Sequence, residues 1–311
     1  MQYRFQQWGR RRHSFAVIVM CVSLALVLLL AACGSSTGGS GGTTPAPTTN
    51  SQTPTVTPPN DLLTSGTLTV GSDTTYPPQE YIDTTTHEAA GFDIDLIKAV
   101  AARMGLQAKV ITTSFDTIIN SLVAKRFDVV ISAVSVTPDR QKKVDFVPYF
   151  NAGESLLVQN GNPKHITSPN DLCGMPVGVQ NGTIEQTDLQ TASANCTKAG
   201  KPAINITALT NQTDVIQLLA TNRVVATYQD SPVTDYYIKL HPGQFSVGGS
   251  VIGAGPEGIV VRKGDTSMFT AIQTAFNQLK ANGTYHALIL KWGLTNEELT
   301  SVIDRRSNIA W

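Results

Sequence analysis

The sequence predicts an α/β protein of two lobes, each built on parallel strands with helices crossing between them. Three observations carry that expectation. From Thr67 onward, short β-branched runs alternate with stretches of helical period, and this order requires crossover connections and so parallel strands. The alternation runs through once, then restarts after Asn151. The 311 residues are enough for one large domain or two ordinary ones.

In chain order, "TLTVGSD" reads as a strand ending in a turn. "FDIDLIKAVAARMG" is a helix with Ile97, Val100, Ala101 and Met104 on one face and Gly105 as its stop. "AKVIT" is a strand, and "FDTIINSLVAKRF" is a helix expected to turn Ile118, Ile119, Leu122 and Val123 inward. "DVVISAVS" is too short for a globular helix and rich in β-branched residues, hence a third strand. In the second round "ESLLVQ" is extended, Ser168-Pro169 starts a short helix, and "PVGVQNGT" is a strand with a tight turn. "IEQTDLQTASA", "DVIQLLATNR" and "SPVTDYYIKL" then read as helices around the strands "AINITAL" and "VVATYQD", up to a stop at "HPG". "GPEGIVVRKGD" is a strand with a charged turn, followed by a long helical stretch broken at Asn282-Gly283.

The first 33 residues differ from the rest. Arg4, Arg10, Arg11 and Arg12 precede an apolar run from Phe15 to Ala32 that ends in Leu30-Ala31-Ala32-Cys33. A basic segment, an apolar segment and small residues form an export signal; the alternative, a membrane anchor, needs a span at the short end of the range. Leu-Ala-Ala-Cys resembles the bacterial lipobox, which implies cleavage before Cys33, residues 1–32 as the signal peptide and a lipid on that cysteine. The four arginines leave with the signal, so 19 basic residues face 23 acidic ones, a net charge of −4. No basic cluster remains to neutralise phosphates, which argues against a nucleic-acid partner. Residues 34–60, almost entirely Gly, Ser, Thr, Pro and Asn, read with Cys33 as a disordered tether. Cys173 and Cys196 are the thiols left in the folded part; in an exported chain they read as a disulfide, the alternative being a two-cysteine metal site that lacks nearby histidines.

In open α/β sheets ligands bind beyond the carboxyl ends of the strands. The strand exits here carry Asp73 and Tyr76, then Phe115, then Ser132, Ala133 and Ser135 with Arg140 one helical turn beyond the Thr137-Pro138 cap. The second lobe offers Gly182, Thr183, Ile184 and Asp230. A guanidinium fork suits a carboxylate, an aspartate suits an ammonium, and two aromatic rings make flat apolar walls. An α-amino acid satisfies all of them.

At these residues the sequence resembles the solute-binding proteins of bacterial polar amino-acid ABC transporters, family 3. "VGSDTTYPPQEY", "GFDIDLIKAVAARMG", "FDTIINSLVAKRFDVVISAVSVTPDRQKKVDFVPYF", "VGVQNGT", "GIVVRKGD" and "ANGTYHALILKWG" carry the resemblance in order, over residues 66 to 293. It implies a periplasmic-binding-protein type II-like fold: two α/β lobes joined by a two-strand hinge, with the ligand cleft between them. Lobe 1 would comprise residues 61–154 and 250–311, and lobe 2 residues 155–249. The resemblance implies that Arg140 pairs with the ligand carboxylate, supported by Ser135 and the amides around Ala133 and Thr183 to Ile184. Asp230 would take the ammonium, helped by the Ser132–Ala133 backbone. Tyr76 and Phe115 would sandwich the side chain, and Asp73 would face its polar end.

Two departures from the family pattern bear on this set: Ile184 stands where a second hydroxyl is common, and Gln79 stands at a rim position often held by phenylalanine. The expected function is capture of a polar, preferentially basic, amino acid and delivery to a membrane permease, by a monomer without cofactor or metal. Two alternatives stand beside it: a cyclohexadienyl dehydratase-like enzyme on the same scaffold and an amino-acid sensor subunit. The enzyme lacks a free general acid, since Asp73 and Asp230 are matched to binding, and His13, His87, His165, His241 and His286 fall outside any nucleophile pattern.

Overall fold

The computed structural model describes residues 54–299; the signal, Cys33 and the tether as far as residue 53 lie outside the described residues. The first half runs β1 (Thr67–Ser72), β2 (Thr75–Tyr76), β3 (Glu80–Ile82), β4 (Ala89–Ala90), α1 (Phe92–Arg103), β5 (Gln107–Thr112), α2 (Phe115–Val123), β6 (Val129–Val130) and α3 (Pro138–Gln141). A long strand, β7 (Val144–Gln159), leads into β8 (Pro176–Gln180), α4 (Ile184–Lys198), β9 (Asn205–Leu209), α5 (Gln212–Ala220), β10 (Ala226–Asp230) and α6 (Ser231–Leu240). A second long strand, β11 (Phe245–Arg262), returns the chain to α7 (Thr266–Ala281) and α8 (Thr284–Trp292).

Eight strands form one sheet in the order β5-β1-β6-β11-β7-β10-β8-β9. β1 is parallel to β5 and β6 on one flank, and β8 is parallel to β9 and β10 on the other. β7 and β11 run antiparallel through the middle and belong to both flanks, β11 pairing with β6 at Val260–Val130 and β7 with β10 from Glu154 to Val158. Between the flanks their register slips at Gly248/Ile252 and Ile252/Gly255. Gly253, at φ 64°, sits in that irregular stretch, and a Cβ there would meet the Glu154 carboxylate at 2.8 Å. Here the ladder between the two long strands is interrupted. The expected segments "ESLLVQ" and "GPEGIVVRKGD" are only parts of these strands, because Pro148 and Gly153 read as interruptions inside β7 yet lie within it. The small β2-β3-β4 sheet was not expected, since strands of two or three residues carry no readable period.

Each flank has its own core. Leu68, Val70, Ile97, Val100 and Met104 pack with Phe92, Tyr149 and Tyr285 in the first, and Leu156, Val177, Val179, Leu189 and Tyr228 in the second. The expected inward face of α1 is buried throughout. In α2 only Ile118 and Leu122 are; Val123, the last helical residue, is 53% exposed, and Ile119 is partly buried.

The last tether residues also depart from expectation. Val56 is buried in the first core, and the amides of Thr55 and Val56 donate to the Arg103 carbonyl at 3.0 and 3.1 Å. Composition hides this because one apolar residue docking on a preformed surface needs no periodicity. Cys173 and Cys196 are disulfide-bonded with Cα atoms 5.6 Å apart, tying the turn after Leu172 to α4.

Candidate functional site: a carboxylate-rich cavity between the flanks

Residues of both flanks close tightly around one small cavity. All ten residues expected from the strand exits line it: Asp73, Tyr76, Phe115, Ser132, Ala133, Ser135, Arg140, Thr183, Ile184 and Asp230. Glu80, Gln180 and Glu185 complete the lining.

Arg140 is placed by the cap before it. The Thr137 hydroxyl accepts from the Arg140 amide at 3.3 Å, Pro138 fixes the first helical residue, and the side chain is thereby turned toward the cavity. Its guanidinium donates to the Ser135 carbonyl at 2.9 Å and, across to the second flank, to the Gly182 carbonyl at 3.2 Å. It also lies 5.4 Å from the centre of the Phe115 ring, so Phe115 is a support for the cation as well as a wall. Burial lowers the Arg140 pKa, and the carboxylates of Glu185, Asp230 and Glu257 counter that.

Asp230 ends β10 and is buried. The Tyr76 hydroxyl donates to its carboxylate at 2.8 Å and accepts from its amide at 3.0 Å. Burial raises the Asp230 pKa to about 6, against the hydrogen bond from Tyr76 and the charge of Arg140. Asp73 is likewise raised to about 6 by burial. Its carboxylate accepts from the Thr75 hydroxyl at 2.9 Å and, across the cavity, from the Gln180 side-chain amide. A further bond crosses nearby, from the Gln212 amide to the Thr75 hydroxyl at 3.1 Å.

Several expected donors are committed elsewhere. The Ala133 amide points away from the cavity and donates to Asp93 at 3.0 Å, which also accepts from the Tyr149 hydroxyl at 2.5 Å. Ala133 sits at φ 45°, a region costly for a residue with a Cβ; the buried Asp93 holds it there, so the expected carboxylate support from this amide is absent. The Ser132 hydroxyl accepts from the Asp73 amide and donates to Glu80, both at 2.9 Å. The Thr183 hydroxyl caps α4, accepting from the Gln186 amide and donating to the Gln180 carbonyl. Gln79 is not at the rim: it is fully buried and donates to Glu257 at 2.5 Å.

The three residues that sequence reasoning missed share one property. Glu80 Oε2, Gln180 Oε1 and Glu185 Oε1 are buried side-chain oxygens with no hydrogen-bond partner among the described residues. Burial, then Asp93, pushes Glu80 well above the usual carboxylate range; burial, then Asp230, does the same to Glu185. A glutamate in the first turn of a helix ordinarily complements the helix dipole in solvent, so Glu185 gives no signal of burial in sequence. Glu80 and Gln180 lie within quoted motifs but at positions that local reading assigns to turn and strand.

A type II periplasmic-binding fold that encloses a polar cavity between lobes joined by two strands is a fold for capturing a small solute. Residues 68–295 match the model of bacterial extracellular solute-binding proteins, family 3, and the chain belongs to that family. It is 29% identical over 234 residues to the L-cystine-binding protein TcyJ of Escherichia coli K12, covering 75% of this chain and 85% of that protein. It is 32% identical over 235 residues to the lysine/arginine/ornithine-binding periplasmic protein of the same organism, covering 73% and 87%. An ancestral arginine-binding protein bound to arginine superimposes with a TM-score of 0.67 at 36% identity, covering 73% of this chain and 98% of that one. These relatives are named for binding, in agreement with the expectation that the chain is not an enzyme; the sequence argument from a missing general acid does not hold, because Glu185 is a buried carboxyl in the cavity.

Proposed function

We propose that the protein captures a basic L-amino acid outside the cell and delivers it to an ABC transporter permease by closing its lobes about β7 and β11. The observation that carries the basic ligand is the surplus of buried acceptors. Asp73, Glu80, Glu185 and Asp230 line the cavity with a single arginine; Glu80 shares a hydrogen bond with Asp93 and Glu185 one with Asp230, acid against acid, and Gln180 Oε1 lacks a donor. Buried acceptors without donors and buried carboxylates without cations are both costly. A guest with two cationic groups and one carboxylate supplies what is missing. Arg140 takes the carboxylate, Asp230 the ammonium, Tyr76 and Phe115 flank the stem, and Asp73 and Glu80 face the side-chain cation. Relatives named for arginine, lysine, ornithine and histidine support the ligand class.

In this reading residues 1–32 are removed on export, Cys33 carries the lipid, and residues 33–53 are the spacer that keeps the folded part at the outer face of the membrane. The hinge would lie where the register of β7 and β11 breaks, so that 61–154 and 250–299 move as one lobe against 155–249; residues 300–311, expected in the first lobe, lie outside the described residues. Neither lobe alone satisfies both charges of a zwitterion, and the permease thereby distinguishes loaded from empty protein.

A thermal-shift screen over the twenty amino acids tests the reading. A ligand at 100 times its Kd stabilises by about 2.7 kcal/mol. The expected result is a shift with arginine, lysine, ornithine or histidine, weakened selectively in Asp73→Asn. No shift with any amino acid, or consumption of prephenate or arogenate, would overturn it.

A further inference from the structure

The amino-acid reading leaves Glu185 without a role, although it is the most conspicuous side chain of the second flank. It follows Thr183 and Ile184 at the start of α4, yet it is only 2% exposed. It lines the cavity and gives Asp230 a hydrogen bond. Its Oε1 has no partner among the described residues. It lines the cavity with Thr183, Ile184, Asp230 and Arg140 and feels the charges of the last two, so it belongs to the end that receives the ligand's head group.

An ammonium group carries three N–H donors and needs three acceptors when buried. The three N–H groups diverge tetrahedrally, so one carboxylate cannot face them all, and Asp230 Oδ2 also accepts from Tyr76. Glu185 sets a second buried carboxyl beside Asp230, and its Oε1 receives no N–H or O–H donor from the described residues. We infer that Glu185 is a specificity-determining residue that receives the ligand's α-ammonium together with Asp230, so that the site selects for a free primary α-amine. This inference rests on the amino-acid reading above.

The test is a ratio of affinities, measured by calorimetry within each protein variant so that any loss of stability cancels. The probes are the tightest amino acid of the screen, L-arginine in the first instance, and its des-amino counterpart, 5-guanidinopentanoate. Wild type should prefer the amine-bearing probe strongly. Glu185→Met, which removes both oxygen acceptors, should narrow that preference by roughly ten- to hundredfold, the range of a hydrogen bond to a charged group. Glu185→Gln, which keeps an oxygen acceptor, should fall between. An unchanged ratio in both variants overturns the inference while leaving amino-acid binding intact. Equal strengthening of both probes also overturns it, showing Glu185 to be only a counter-ion of Arg140. Wild type that takes none of the twenty amino acids removes the amino-acid reading itself, and the inference with it.

Discussion

Tyr76, on β2 of the small sheet, and Asp230, at the end of β10, are joined by two hydrogen bonds: the phenol donates to the carboxylate at 2.8 Å and accepts from the backbone amide at 3.0 Å. The contact couples the aromatic wall of the cavity to its acid. It also joins the lobes, because Tyr76 packs in one cluster with Leu157, Ile216, Val233 and Tyr237 of the second flank. Tyr76→Phe keeps the ring and the packing but leaves a buried carboxylate short of a donor. Ligand affinity should fall by about 1.5 to 3 kcal/mol, read by calorimetry. Affinity within threefold of wild type would show that the ring alone matters.

Arg140 holds the Ser135 and Gly182 carbonyls and rests beside Phe115. These contacts use the planar fork, which lysine lacks while keeping the charge. Arg140→Ala should cost roughly 2 to 5 kcal/mol of binding, by leaving the ligand carboxylate buried and unpaired. Arg140→Lys should recover only part of that. Full recovery in the lysine variant would mean that the site needs a positive charge and not a fork.

The ten strand-exit residues were legible because topology alone brings strand ends to one edge, and polar groups at such ends have few structural duties. Thr137-Pro138 was legible as a cap for the same local reasons that place Arg140. What escaped was decided by burial. Glu185 and Gln180 look like ordinary helix-start and strand residues until the lobes cover them, and the Ala133 amide looks free until Asp93, forty residues away, is found beneath it. The middle of the fold was hardest to read: β7 and β11 pair residues 86 to 118 positions apart, from Gln159–Phe245 to Val144–Arg262, and no local pattern records that.

Gly182 should be indispensable for closing. It sits at φ 80°, and a Cβ on it would lie 2.7 Å from the Cα of Asp116 on the opposite flank. Both features oppose a side chain, but they act differently: the backbone region weakens folding modestly, whereas the proposed parting of the lobes would relieve the contact with Asp116. Gly182→Ala should therefore remain folded and lose most of its ligand affinity. Small-angle scattering should show no contraction on adding ligand. A normal contraction with normal affinity would mean that the backbones shift apart without loss.

The buried acids set the pH dependence. Asp73 and Asp230 titrate at about 6 in the folded protein, against 3.8 for an unperturbed aspartate, chiefly because burial disfavours the charged form. Between those values the folded state binds more protons than the unfolded state, so stability falls as pH rises through this window. Glu154 and Asp93, raised by burial to about 7, extend the decline upward. The ligand-free protein should thus melt at a higher temperature at pH 5 than at pH 7. A cationic ligand reverses the balance, since it favours ionised carboxylates, and its stabilising shift should grow over the same interval with release of protons. Melting curves from pH 4.5 to 7.5, with and without L-arginine, check both slopes. In Asp73→Asn/Asp230→Asn the ligand-free slope should flatten, and an undiminished slope would assign the titration to other groups.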